Sequence, residues 1–322
     1  MTDNIFIPNM KQEPVKWLVE GLIPVGDVGI VASQPGVGKS FLLEDLAISV
    51  AYGKPFLGME TRNGNVLIID EDSPSNTLDR RLSKFSNYCK NDGKYNIYRH
   101  SKEGHTIKTL PKLIASYSEL KLVIIDCMVS ITGEADIDRT IHAVAIGNFM
   151  AEVKRKDMTV LIAHHISTHN DLSIEQAMTC FNPQGLVMNN TRIVSSCDTL
   201  YILASPDMDG KLKTLFVRPV ARRTTINAEA FTATLIEDEQ TLHFEYGKAI
   251  DIKGELGKDE SRALSLFEDV GERLTVKEAL GKSAQYFSDF TLREHLHSLE
   301  DKGYIEVAKR EAKGKLVYER IA

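Results

Sequence analysis

The octet Ser33-Gln-Pro-Gly-Val-Gly-Lys-Ser40 constrains this chain more than any other stretch. It follows the apolar run Val28-Gly-Ile-Val-Ala32 and precedes a segment of helical spacing that begins at Phe41. A strand, a glycine-rich turn and a helix in that order make a phosphate cradle. The glycines let backbone N–H groups turn inward, and the helix N-terminus adds positive potential. In this reading Gln34, Pro35, Gly36, Val37, Gly38, Lys39, Ser40 and Phe41 line ATP. Lys39 reaches the β- and γ-oxygens and the Ser40 hydroxyl ligates Mg²⁺. The motif expects glycine first, and here stands Ser33, which the turn tolerates if that residue needs no positive φ. The competing reading is an ordinary glycine-rich turn that opens a helix.

The surrounding text alternates. Strand-length apolar runs lie at Val28–Ala32, Val66–Ile69, Leu122–Ile125, Val160–Ala163 and Thr199–Leu203, with helical spacing at Phe41–Tyr52, Asn76–Tyr88, Ile107–Leu120 and Thr140–Lys156. Near-continuous β-branched runs fit strands covered on both faces, and helix-length connections fit parallel crossovers. The class expected is α/β, with a mostly parallel sheet covered by helices on both faces. Three further runs, Lys211–Val217, Phe231–Ile236 and Thr241–Phe244, read as short strands that extend the sheet antiparallel at one edge.

These observations divide the chain into an ATPase domain over 1–247, a glycine-bearing linker over 248–258 and a small domain over 259–322. The last segment reads helix, helix, helix, hairpin. Ala263, Leu264, Phe267 and Val270 make one apolar face, Val276, Ala279 and Leu280 a second after a Thr275 cap, and Phe290, Leu296 and Leu299 a third. This order resembles a winged helix-turn-helix domain.

Composition excludes several classes. With 322 residues, 43% apolar and 26% charged, the chain is neither disordered nor fibrous. A net charge of -6 argues against a protein that coats phosphate backbones over its whole surface. The four cysteines, Cys89, Cys127, Cys180 and Cys197, form no CxxC pair, so they suggest buried thiols rather than a zinc knuckle or disulfides. No apolar run is long enough to span a membrane, and the first fifteen residues do not read as a secretory signal. A cytoplasmic protein without membrane partners is expected.

Two acidic stretches complete the chemistry. Asp126 ends the run Leu122-Val-Ile-Ile, where a carboxylate can hold Mg²⁺. Asp70-Glu71-Asp72 ends the run between that strand and the octet, where a carboxylate can orient a water or simply meet solvent.

Together these residues resemble the RecA-type ATPases, and within them the RepA-like hexameric replicative helicases of plasmids and phages. The resemblance covers about residues 14–224. It is carried by Trp17-Leu-Val-Glu-Gly-Leu-Ile-Pro24, by Leu67-Ile-Ile-Asp-Glu-Asp-Ser-Pro74 with Arg80-Arg-Leu82, and by the doublet Ala163-His-His165. It implies that Glu71 is the catalytic glutamate and Asp126 the Walker B aspartate. It places His165 where a side chain senses the γ-phosphate, with His164 beside it. Arg192, in Gln184–Arg192, falls where such proteins carry an arginine finger, and Arg222 is a second candidate in Val217–Thr224. The implied partners are further copies of the chain in a hexameric ring, and DNA.

The DNA expectation is uneven. Loops after the third and fourth strands, Met128–Asp138 and Ser167–Asn190, would face the channel, yet the first carries Glu134, Asp136 and Asp138 and the second has no Lys or Arg. The small domain offers Arg293 and His297 on its third helix and Lys309, Arg310, Lys313 and Lys315 in its hairpin. Three functions follow: a DNA helicase or translocase acting in replication of a mobile or phage-like replicon, an ATP-dependent DNA-binding assembly or regulatory factor without unwinding, and a kinase built on the same loop. The kinase would need an acceptor site, which the sequence does not display.

Overall fold

In the computed structural model the residues described are 14–90, 94–132, 147–152, 157–166, 196–205, 214–221, 229–250, 258–269, 271–283, 286–301, 304–311 and 315–320. They fall into two compact units, which divide at Ala249 and Ile250.

The apolar runs of the first unit become strands because each is covered on both faces. A short antiparallel pair, β1 (Trp17–Val19) and β2 (Ile23–Pro24), precedes β3 (Val28–Ser33) and helix α1 (Lys39–Tyr52). Then come β4 (Asn65–Asp70), α2 (Ser75–Tyr88), β5 (Ile97–Ser101), α3 (Leu110–Ala115), β6 (Leu120–Asp126) and α4 (Met128–Thr132). Residues 147–152 are helical (α5). Strands β7 (Thr159–His165), β8 (Thr199–Ala204), β9 (Thr214–Ala221), β10 (Ala230–Glu237) and β11 (Leu242–Ile250) complete the unit.

Nine strands form one sheet in the order β11-β10-β9-β8-β3-β7-β6-β4-β5. The six from β8 to β5 are parallel, while β9 pairs antiparallel with both β8 and β10. This is the α/β architecture with a mostly parallel sheet that the alternating text implies. Its apolar core joins α1 to β3, β4, β6, β7 and β8 through Leu43, Leu46, Val31, Ile68, Ile124, Ala163 and Leu203.

The strands' N-terminal ends are fastened by buried polar contacts. The Thr199 hydroxyl donates to Asp27 at 2.8 Å, and the Val28 N–H to Asp198 at 3.0 Å. The Tyr201 hydroxyl reaches the Leu22 carbonyl at 3.0 Å, and that of Thr159 the Pro24 carbonyl at 2.9 Å. Each of these buried polar groups thereby finds a partner.

Local differences from the sequence reading have physical reasons. Strand β5 was not anticipated, because Ile97-Tyr-Arg-His-Ser101 is a half-buried edge strand with one aliphatic residue. The helix expected over Ile107–Leu120 is confined to Leu110–Ala115. Strand β11 runs through Ile250, three residues beyond Gly247.

The second unit comprises α6 (Lys258–Leu264), β12 (Arg273–Thr275), α7 (Val276–Ser283), α8 (Asp289–Asp301), β13 (Ile305–Glu311) and β14 (Lys315–Arg320), its strands antiparallel in the order β12-β14-β13. Thr275 and Glu278 make a capping box for α7: the Glu278 N–H donates to the Thr275 hydroxyl at 3.2 Å and the Thr275 N–H to the Glu278 carboxylate at 2.8 Å. Ala263, Phe267, Val276, Ala279, Leu296 and Leu299 enter the core as expected. Phe290 does not: it is 72% exposed, and Phe287 and Leu292 take the inward positions. Val270 lies outside the described residues. Among the described residues no helix is long and apolar enough to cross a membrane.

Candidate active site

Parallel pairing gathers the chemistry at the C-terminal edge of the sheet. Ser33 of β3 stands in register with His165 of β7, and Asp70 of β4 with Asp126 of β6 and Ser101 of β5. Ligands of open α/β sheets bind at this edge.

The turn from β3 to α1 depends on Gly36 (φ 78°) and Gly38 (φ 105°), both in the left-handed region that favours glycine. Ser33 belongs to the strand and has no positive φ, so the departure from glycine costs the turn nothing. Its hydroxyl accepts a hydrogen bond from the Lys39 ammonium at 2.8 Å, and the Gln34 carbonyl accepts another at 3.4 Å. Lys39 is buried, and burial lowers its pKa while Asp126 pulls it back up.

Ser40 lies in the first turn of α1, and its hydroxyl donates to the Asp126 carboxylate at 2.5 Å. Burial pushes the Asp126 carboxyl up to about 6, against the Ser40 bond, which favours the charged form. The pair presents oxygen donors only, a set suited to a hard divalent cation such as Mg²⁺.

The three consecutive acids part company. One Asp70 oxygen accepts from the N–H groups of Asp72 (2.9 Å) and Ser73 (2.7 Å), shaping the turn into α2. Its other oxygen, buried without a hydrogen-bond partner, lies 3.6 Å from the Arg81 guanidinium. Asp72 is exposed. Glu71 sends its carboxylate to the turn after β5, where the Gly104 N–H (3.0 Å) and the His105 N–H (2.9 Å) donate to its two oxygens. The Glu71 N–H also donates to the Asp126 carbonyl at 2.8 Å, which ties β4 to β6 at the site.

Beneath these acids Arg81 of α2 grips Glu44 of α1, with Nε 2.9 Å from both carboxylate oxygens. Burial raises Glu44 to about 8 while Arg81 pulls it down. The guanidinium also stacks over Phe41, 5.3 Å from the ring centroid.

The histidine doublet divides by face, as adjacent strand residues must. His164 is fully buried, its ring nitrogens have no hydrogen-bond partner, and burial pushes its pKa down to about 4, so it is neutral. His165 is half-buried, with Nε2 3.9 Å from the Cys127 Sγ. Arg192 and Arg222 lie outside the described residues, as do the Ser167–Asn190 loop and most of Met128–Asp138, whose start forms α4.

In the second unit Arg293 is held by Asp289 at 2.9 Å, and His297 lies 3.5 Å from Glu300. Lys309 is exposed; Lys313 and the side chains of Arg310 and Lys315 are outside the described residues. The sequence reading missed the Ser33 hydroxyl as partner of Lys39, the Arg81–Glu44 pair and the turn that holds Glu71. The Arg80-Arg-Leu82 text was the only signal of the second.

A phosphate loop on a RecA-like sheet, with a serine and a strand-end aspartate in contact, defines a P-loop ATPase. The chain belongs to the AAA domain family (AAA_25), which matches residues 4–171. No curated protein matches it. Among solved structures it is similar to an ATPase domain, at 13% identity over 69% of this chain and 85% of that one, with a TM-score of 0.45. It is also similar to the KaiC-like protein PH0186 from the archaeon Pyrococcus horikoshii OT3, at 13% identity over 73% of this chain and 100% of that one, with a TM-score of 0.46.

Proposed function

We propose that this ATPase is a DNA helicase or translocase of the RepA-like kind, assembled as a ring and acting in replication of a mobile or phage-like replicon. The contact between Ser40 and Asp126 carries the reading, because it sets the two candidate metal ligands side by side at one end of the phosphate loop. Mg²⁺, when bound, withdraws charge from phosphate oxygens, and Ser40 and Asp126 would hold it. Lys39 balances phosphate charge from inside the loop. Glu71, aimed by two backbone N–H donors, orients the attacking water and accepts its proton. His165 reports on the terminal phosphate from the strand next to β3. Arg192, with Arg222 as second candidate, completes a neighbour's site, stabilising charge that develops in transfer.

In this reading residues 1–247 are the motor, 248–258 the linker and 259–322 a winged helix. The order α6, β12, α7, α8 and a hairpin supports the last assignment. Its DNA contacts would be Arg293, His297, Lys309, Arg310, Lys313 and Lys315. A second reading, an ATP-dependent DNA-binding assembly or regulatory factor without unwinding, is favoured by one observation: the Met128–Asp138 stretch carries Glu134, Asp136 and Asp138 and no Lys or Arg.

Strand displacement on a forked duplex separates the two. Unwinding that needs ATP and disappears in Lys39→Ala supports the helicase. ATP-dependent oligomers without unwinding overturn it in favour of the assembly factor. Hydrolysis that survives Lys39→Ala removes the site itself.

A further inference from the structure

Outside the phosphate loop, the turn that follows β5 brings together His100, Glu103 and His105. His100 Nδ1 lies 2.7 Å from Glu103 Oε2, His105 Nε2 lies 3.4 Å from the same oxygen, and the two nitrogens are 3.3 Å apart. Zinc bonds of about 2.0–2.1 Å at tetrahedral angles hold ligand atoms roughly 3.3 Å apart. Two edges of this triangle already have that length. The third is the hydrogen bond that a cation would replace.

The supporting contacts suit a metal. His100 Nε2 lies 2.7 Å from the Tyr117 hydroxyl, an outer partner that leaves Nδ1 to the ion and fixes the ring. The rings of His100 and His105 stand at 83°, centroids 5.0 Å apart, so both nitrogens converge without stacking. Both histidines are largely buried, while Glu103 is 50% exposed, which leaves the fourth position open to water. Lys102 and Gly104, both at positive φ, fold the short span back on itself. Two imidazoles and one carboxylate select a borderline transition ion over Mg²⁺ or Ca²⁺.

We propose that His100, Glu103 and His105 form a binding site for a divalent transition ion of the zinc kind. The site is separate from the nucleotide loop but joined to it, since the backbone N–H groups of Gly104 and His105 hold the Glu71 carboxylate. Resting on the proposed role of Glu71, the ion steadies the turn that aims this residue and so supports hydrolysis. His100 and His105 are ligands of the ion and positioning residues for Glu71.

The test is calorimetric titration of the untagged full chain with Zn²⁺ alone, without nucleotide. One equivalent should bind, at least tenfold weaker in His105→Ala and in Glu103→Gln, and Co²⁺ in its place should give the visible absorption of a tetrahedral site. Zn²⁺ should also raise the thermal midpoint of the wild-type chain, which guards against variants that fail to fold. No binding to the wild type, or binding unchanged in both variants, overturns the site and leaves a hydrogen-bond network. A zinc-selective chelator should then lower kcat several-fold with KM for ATP unchanged. Zinc binding with kcat indifferent to the chelator removes the coupling and keeps the site. Zinc binding by a chain that shows no hydrolysis at all removes the proposed function and keeps the site.

Discussion

The Ser40 hydroxyl meets the Asp126 carboxylate at 2.5 Å across a sequence separation of 86 residues. Parallel register makes the meeting possible. Strands β3 and β6 each pair with β7, so their C-terminal ends reach the same edge of the sheet. What lies there is a buried carboxylate whose hydrogen bond among the described residues comes from a neutral hydroxyl. Such a group is costly to ionise without a cation.

Asp126→Asn should therefore stabilise the nucleotide-free protein while abolishing hydrolysis. The carboxyl titrates near 3.8 when unfolded and near 6 when folded. Between those values the folded state binds more protons, so this group's contribution to stability falls as pH rises, and its cost is complete above about 6. At pH 7 the variant should gain about 3 kcal/mol, and the gain should vanish below about pH 4. Denaturant melts across this range check the sign, and phosphate release checks the activity.

Glu71→Gln should retain nucleotide and lose turnover. The amide has the shape of the carboxylate, but it accepts only one of the two N–H groups of the 104–105 turn, and it takes no proton from water. A drop in kcat of roughly 10²- to 10⁴-fold is expected, with nucleotide affinity within about twofold. Single-turnover hydrolysis and equilibrium nucleotide binding read the two effects apart.

Arg81→Leu should be far more harmful than the double change Arg81→Leu with Glu44→Leu. The single change leaves the buried Glu44 carboxyl and the buried Asp70 oxygen without their guanidinium partner, costing about 1–3 kcal/mol for each unsatisfied group. Removing both groups restores the part of that loss that belongs to Glu44, while Asp70 still lacks the guanidinium. A double-mutant cycle on urea unfolding yields the coupling, and near-additive losses would refute the pairing.

Gly29→Ala should destabilise the sheet without touching the chemistry. A methyl group at this position of β3 would stand 2.8 Å from Leu161 Cδ2 and 3.2 Å from the Tyr201 ring. Overpacking of that size costs about 1–3 kcal/mol. Thermal melts should show the loss, with KM for ATP unchanged in the fraction that folds.

How much the sequence disclosed depended on where each element's partners lie. Strands β3, β4, β6, β7 and β8 were legible because burial on both faces leaves continuous apolar text. Edge strand β5, half exposed, has no such text. Phe290 misled for a related reason. Its apolar side chain fits the helix text, but α8 turns Leu292, Leu296 and Leu299 inward and Phe290 outward. At the site, Lys39, Ser40 and Asp126 were readable from spacing around glycines and a strand end. The clasp on Glu71 was not, because its donors are backbone N–H groups, and every residue but proline has one. Glu44 and Arg81 sit on two helices 37 positions apart, a pairing only the packed α1 and α2 disclose.

The buried polar contacts at the N-terminal end of the sheet carry a consequence of their own. Asp27, Asp198, Thr199 and Tyr201 fasten one rim of the strands, while Lys39, Ser40, Glu71, Asp126 and His165 gather at the opposite rim. The fastened rim and the candidate site thus occupy separate poles of the same strands. A damaged clasp at the lower pole should shorten the protein's lifetime without altering its catalytic constants. The upper pole can be rewritten for another nucleotide or another pace of turnover while the foundation stays as it is.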